Sequence, residues 1–75
     1  MPNPDEDDRL NPTDRKIVKK LRGGRENRGS LADAIDKDPE YIGERLKWLR
    51  EWDYVRYYHE RTGLYELAEA ADGDT

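Results

Sequence analysis

Seventy-five residues make a single domain, near the lower limit at which a core holds together without staples. The chain has no cysteine, is 33% hydrophobic and 43% charged, so disulfides and thiolate metal sites are excluded and few residues must build the core. No apolar run approaches the roughly 18 residues of a membrane span. The start, Met-Pro-Asn-Pro-Asp-Glu-Asp-Asp, lacks the apolar stretch of a signal peptide, and Asn11-Pro12-Thr13 fails as a glycosylation acceptor because proline stands in the middle. A soluble cytoplasmic protein is expected.

The net charge of −4 is unevenly spread. Residues 1–8 carry Asp5, Glu6, Asp7 and Asp8, and residues 66–75 carry Glu66, Glu69, Asp72 and Asp74. Residues 9–65 hold all 14 Lys and Arg against 10 acids, so the middle of the chain is mildly basic. Acidic flanks, arginine outnumbering lysine and the absence of Phe suit a high-salt cytoplasm, and they suit ordinary solvated tails equally well.

Residues 1–9 show no periodicity and read as a disordered acidic segment; the domain is expected over residues 10–68, and residues 69–75 as an acidic tail. The first helix opens at Asn11-Pro12-Thr13-Asp14. Asn11 or Thr13 caps it, Pro12 fits the first turn, and Asp14 complements the positive end of the helix dipole. Ile17, Val18 and Leu21 form its apolar face, and Gly23-Gly24 ends it. Residues 24–29 read as a polar loop, after which Ser30 caps a short helix over 31–35, with Asp33 completing a box-like pattern. Asp36-Lys37 turns the chain, and Asp38 caps a third helix with Pro39 in its first turn.

That third helix runs to about Trp52. Ile42, Leu46 and Leu49 follow core spacing, and Tyr41, Arg45, Trp48 and Trp52 form a second stripe roughly 80–100° around. After Asp53 the period becomes two. Tyr54–Tyr58 and Leu64–Leu67 are rich in strand formers, and His59–Gly63 is a five-residue hairpin loop ending in glycine. Val55, Tyr57, Tyr65 and Leu67 are expected to face inward.

Two helices joined by a tight turn and followed directly by a hairpin resemble a winged helix-turn-helix. Residues 30–35, from Ser30 to Ile35, resemble the first helix of that motif, and residues 38–49, from Asp38 to Leu49, resemble its recognition helix. Trp52-Asp53-Tyr54-Val55 stands where the family has small-Gly-Leu-Val, and Gly63-Leu64-Tyr65-Glu66-Leu67 is similar to the returning wing strand. The likeness covers about residues 10–68 and is nearest to small repressor-like winged-helix proteins of haloarchaea and their phages, of the phi-H repressor type. It implies an α+β domain of three helices with a C-terminal two-stranded wing, and sequence-specific binding of double-stranded DNA by a transcriptional regulator. Asp53 departs from the family's glycine and must enter the left-handed region at some cost.

In such a fold the polar face of the third helix enters the major groove, where each base pair presents a distinct edge. The residues expected there are Glu40, Tyr41, Glu44 and Lys47, with Arg50 nearer the backbone. Glu40 and Glu44 repel phosphates but can accept from cytosine N4; the same face also reads as a solvated surface with i, i+4 charge pairs. Arg25, Arg28 and Ser30 are candidates for phosphates at the second helix's N-terminus, and His59 and Arg61 for the wing, with Arg61 suited to a narrow minor groove. The arginines read equally as exposed loop residues. Trp48 and Trp52 read first as cover for a thin core, and second, with Tyr41, as a homodimer contact matching a palindromic site.

Enzymatic readings fare poorly. Asp36, Asp38 and Glu40 imitate the start of a calcium loop, but Pro39 and the missing later glycine and glutamate break it. His59 is the single histidine, with no nucleophile or second base beside it. No cofactor, membrane partner or small-molecule substrate is expected. The other function class open to this fold is a protein-interaction module without DNA binding, which Glu40, Glu44 and the acidic tails would suit.

Overall fold

The computed structural model describes residues 6–68. Helix α1 spans Pro12–Arg22, a two-residue strand β1 spans Glu26–Asn27, and helices α2 and α3 span Arg28–Ile35 and Pro39–Glu51. Strand β2 (Val55–His59), a 3-10 turn (Glu60–Thr62) and β3 (Leu64–Leu67) complete the order. The sheet is antiparallel, with β3 between β1 and β2.

Local chemistry sets each boundary. Asn11 caps α1: its side chain accepts from the Asp14 amide at 2.8 Å while its own amide donates to Asp14 Oδ2 at 3.0 Å, a reciprocal box. Asp38 caps α3 by accepting from the Glu40 amide at 2.8 Å, ahead of Pro39. The helix α2 begins three residues before the sequence suggests. Its cap is Asn27, not Ser30, and Ser30 occupies the third helical position of the box in place of Asp33. The turns that end α2 and α3 use aspartate in the left-handed region, Asp36 at φ 64° and Asp53 at φ 63°. Aspartate tolerates this conformation better than most side chains because its short polar group bonds locally.

Ile17, Val18 and Leu21 of α1, Leu31 of α2, and Ile42, Leu46 and Leu49 of α3 meet in one core closed by Val55, Tyr65 and Leu67 of the hairpin. Three expectations need correction. The wing hairpin is part of a three-stranded sheet, because Glu26 and Asn27, read as loop, pair with Tyr65 and Leu64 along the free edge of β3. Tyr57 faces the same side as Tyr65 but remains 36% exposed, because it lines an open depression beside α3 and is not closed over by the core. Tyr54, which strict alternation would turn outward, is fully buried. It precedes β2, so the left-handed turn at Asp53 sets its direction, and its backbone is tied to Leu49 and Ala68.

The acidic segment is anchored from Asp7 onward, although the sequence there shows no periodicity. The Tyr54 hydroxyl donates to Asp7 Oδ2 at 2.8 Å, Arg9 pairs with the same carboxylate at 2.6 Å, and the Arg9 guanidinium lies 4.7 Å over the Trp52 ring. Residues 1–5 and the tail read over 69–75 lie outside the described residues.

A buried polar tie joins α1 to α3. Arg45 donates from Nε to Asp14 Oδ1 at 2.8 Å and from Nη2 to Oδ2 at 2.6 Å, and the Asp14 side chain is fully buried. One carboxylate thus completes the α1 box and takes a two-pronged guanidinium. Among the described residues no buried side-chain nitrogen or oxygen lacks a partner.

Two outcomes follow for stability. Arg45→Met leaves the Asp14 carboxylate buried and unpaired, so urea unfolding should show a loss of about 3 kcal/mol, whereas Lys47→Ala, two residues on, should stay within about 0.5 kcal/mol. Arg9 and the Tyr54 hydroxyl hold the Asp7 carboxyl far below the usual carboxylate range. A depressed folded pKa stabilises above the unfolded value and is lost as pH falls, so Asp7→Asn should flatten the decline in melting temperature below about pH 4. An unchanged acid limb in that variant would show that Asp7 does not carry it.

Candidate nucleic-acid interface

Each residue of an α-helix advances about 100° around the axis, so fixing one face of α3 assigns the others. Ile42, Leu46 and Leu49 point into the core and Arg45 toward α1. Gly43, Lys47 and Arg50 therefore occupy the side turned about 80–140° from the core stripe, and Glu40 and Glu44 the outer edge beyond. A shallow depression gathers these five residues with Arg28, Tyr57 and Tyr65.

Arg28 reaches this face from the first turn of α2 and lies over the bare backbone of Gly43. A Cβ at Gly43 would stand 2.9 Å from Arg28 Cδ and 3.2 Å from Nη1. Glycine in a helix interior costs about 1 kcal/mol relative to alanine; here it makes room for a guanidinium. On the opposite wall the Arg50 guanidinium lies 4.7 Å over the Tyr57 ring, which stacks on Tyr65 with centroids 4.7 Å apart. The Tyr65 hydroxyl donates to that of Tyr57 at 3.2 Å. Burial and that hydrogen bond push the Tyr65 pKa up to about 12, although Arg50 and Arg28 pull it down.

Arg28, Lys47 and Arg50 thus stand beside Glu40 and Glu44, an excess of one positive charge. None of the four ion pairs among the described residues involves any of the five.

The other candidates are distributed differently. Tyr41 lies on the far side of α3 with Trp48, where its hydroxyl accepts from Asn11 Nδ2 at 2.9 Å. Ser30 uses its hydroxyl in the α2 box, accepting from the Asn27 amide and donating to the Asn27 carbonyl, both at 3.1 Å. Arg25 is separated from Arg28 by the sheet. It lies 3.8 Å over the Tyr58 ring and bonds to Glu66, which also takes Arg56 at 2.8 Å. Those two arginines hold the Glu66 carboxyl below its ordinary range, Arg56 most strongly. His59 ends β2, with its Nδ1 3.0 Å from Thr62 Oγ1, and Arg61 is exposed on the 3-10 turn at the hairpin tip. A register shift between Tyr57 and His59 sets the orientation of this tip.

Helical spacing puts Gly43 on the outward face of the third helix, but sequence reasoning named neither it nor Tyr57 nor Tyr65 as a site residue. The i, i+4, i+7 relation of Gly43, Lys47 and Arg50 was available as a signal; the approach of Arg28 was not. Among the described residues, no group of three His, Asp or Glu side chains could hold a metal ion, and no helix is long and apolar enough to cross a membrane.

No family model and no curated protein matches the chain in sequence. Solved structures match it in shape. Wild-type ZitR of Lactococcus lactis in complex with DNA is similar at a TM-score of 0.77 and 21% identity, over 95% of this chain and 51% of that one. The adhesin competence repressor AdcR of Streptococcus pyogenes is similar at a TM-score of 0.77 and 22% identity, over 92% of this chain and 55% of that one. The chain spans about half the length of these proteins, and at such identity the likeness is one of fold. Three helices and a three-stranded antiparallel sheet, with the hairpin following the exposed third helix, give this chain the winged helix-turn-helix fold.

Proposed function

We propose that this chain binds double-stranded DNA sequence-specifically and regulates transcription. One observation carries the reading: Arg28, lying over the backbone of Gly43, lines one open depression with Lys47 and Arg50 on the outward face of the second helix of a helix-turn-helix, with no carboxylate paired to any of the three among the described residues. The fold is shared with ZitR, whose structure was solved with DNA. In this reading α3 lies in the major groove. Lys47 donates to a guanine edge, and Glu40 and Glu44 accept from cytosine N4. Arg28 and Arg50 hold phosphates and fix the register, and the Arg61 tip reaches the neighbouring minor groove.

The finer assignment is a repressor-like homodimer of a high-salt cytoplasm, acting without a cofactor. Tyr41 and Trp48, exposed at 37% and 42%, supply the self-contact on the side of α3 away from the reading face. In near-molar salt the Debye length is about 3 Å, so long-range attraction contributes little and specificity rests on close contacts.

Selection of bound sequences from a random duplex library, at low and near-molar salt, tests the reading. One motif should be enriched under both conditions. Lys47→Ala should cost about 1–3 kcal/mol and relax the motif at one position, whereas Arg50→Ala should weaken all sequences alike and lower the salt slope by about 1. No enriched sequence at any salt would overturn DNA recognition and leave the exposed glutamates to a protein partner.

A further inference from the structure

A second depression lies between α1 and α2, lined by Lys16, Lys19, Lys20, Glu26, Ala34 and Ile35, with Gly23 at its end. It shares no residue with the depression on the reading face. The helix α2 separates the two: Arg28 begins it on the reading side, and Ala34 and Ile35 close it on the other, about 10 Å along the axis.

The chemistry of this cleft is specific. Lys16, Lys19 and Lys20 stand at i, i+3 and i+4 on α1, so they neighbour one another on one side of the helix. All three are exposed, and none belongs to an ion pair among the described residues. Below them Ala34 is exposed and Ile35 is only half-buried against the core, which leaves an apolar floor open to solvent. Lysine suits such a rim, since its methylene stem lies along apolar surface while its ammonium stays in water. Glu26 is the single acid in the lining.

We propose that this cleft docks an acidic polypeptide segment of a partner protein, with an aliphatic side chain on Ala34 and Ile35 and carboxylates against Lys16, Lys19 and Lys20. Charge complementarity selects the acid, and the apolar floor selects a peptide over a phosphodiester backbone, which has no aliphatic group to place there. The footprint suits a short segment and a transient contact. Because the two depressions are separate, such a partner is held while the reading face is occupied. The inference stands on its own residues and survives if the reading face does not bind DNA.

The test uses the full chain and a fluorescein-labelled probe peptide in which Asp and Glu alternate with Leu, followed by fluorescence anisotropy. Saturable binding is expected. It should weaken about tenfold in the combined Lys16→Gln, Lys19→Gln, Lys20→Gln variant, and about tenfold when Ser replaces Leu in the probe. Ala34→Glu, an exposed position that adds a charge to the floor, should weaken it as much with an unchanged circular dichroism spectrum, and Arg50→Ala should leave it unaltered. Binding indifferent to both the lysines and Ala34 would overturn the proposal. So would displacement of the probe by duplex DNA that still occurs in Arg50→Ala, which would make the occupant a nucleic acid. A tenfold gain in probe affinity in a Glu69→Gln, Asp72→Asn, Asp74→Asn variant would overturn it in favour of the chain's own acidic residues.

Discussion

The bond between Asp14 and Arg45 is the constraint on which the rest of the molecule depends. A small core of aliphatic side chains would accept α3 at several rotations about its axis, because apolar packing is weakly directional. A fully buried carboxylate that takes both prongs of a guanidinium at 2.6 and 2.8 Å is directional. It fixes Arg45 against α1, and helix geometry then turns Gly43, Lys47 and Arg50 outward. The same carboxylate closes the α1 capping box, so the start of one helix and the rotation of another are set together. In that sense a buried ion pair, which adds little net stability by itself, acts here through geometry.

Much of this was legible in the residues. Asp38-Pro39-Glu40 marks the start of α3 because cap, first-turn proline and dipole complement agree. The Ile42, Leu46, Leu49 stripe is periodic and lies at the centre of the core. What was hidden has a common cause: it depends on contacts between residues far apart in sequence. Strand β1 is too short to show alternation, and it exists because β3 offers it a free edge. Asn27 and Ser30 are both good caps, and extending the helix to Arg28 next to that strand decides between them. Tyr54 and Tyr57 depart from their expected environments because the turn at Asp53, not the strand period, aims the first, and the second lines an open depression beside α3.

The candidate site was less legible than the fold. Lys47, Glu40, Glu44 and Arg50 lie together because they share one helix, and helical spacing finds them. Arg25 and Arg28 are three residues apart yet end on opposite sides of a sheet, one bound to Glu66 and Tyr58, the other on Gly43. Tyr41 follows Trp48 to the far side of α3. An acidic chain thus presents two basic concavities, one around Gly43 and one above Ile35, while Asp7, Asp14 and Glu66 are occupied by Arg9, Arg45, Arg25 and Arg56. The sequence total of −4 conceals this division.

In the proposed function, the outward rotation of α3 makes Gly43 and its neighbours the nucleic-acid face. Backbone amide shifts recorded by nuclear magnetic resonance during titration with a selected duplex test it most directly. The largest changes should fall on Arg28, Gly43, Lys47, Arg50 and Tyr57, with those of Lys16, Lys19, Lys20 and Trp48 small. Changes concentrated on α1 or around Trp48, with Gly43 and Lys47 unmoved, would contradict it.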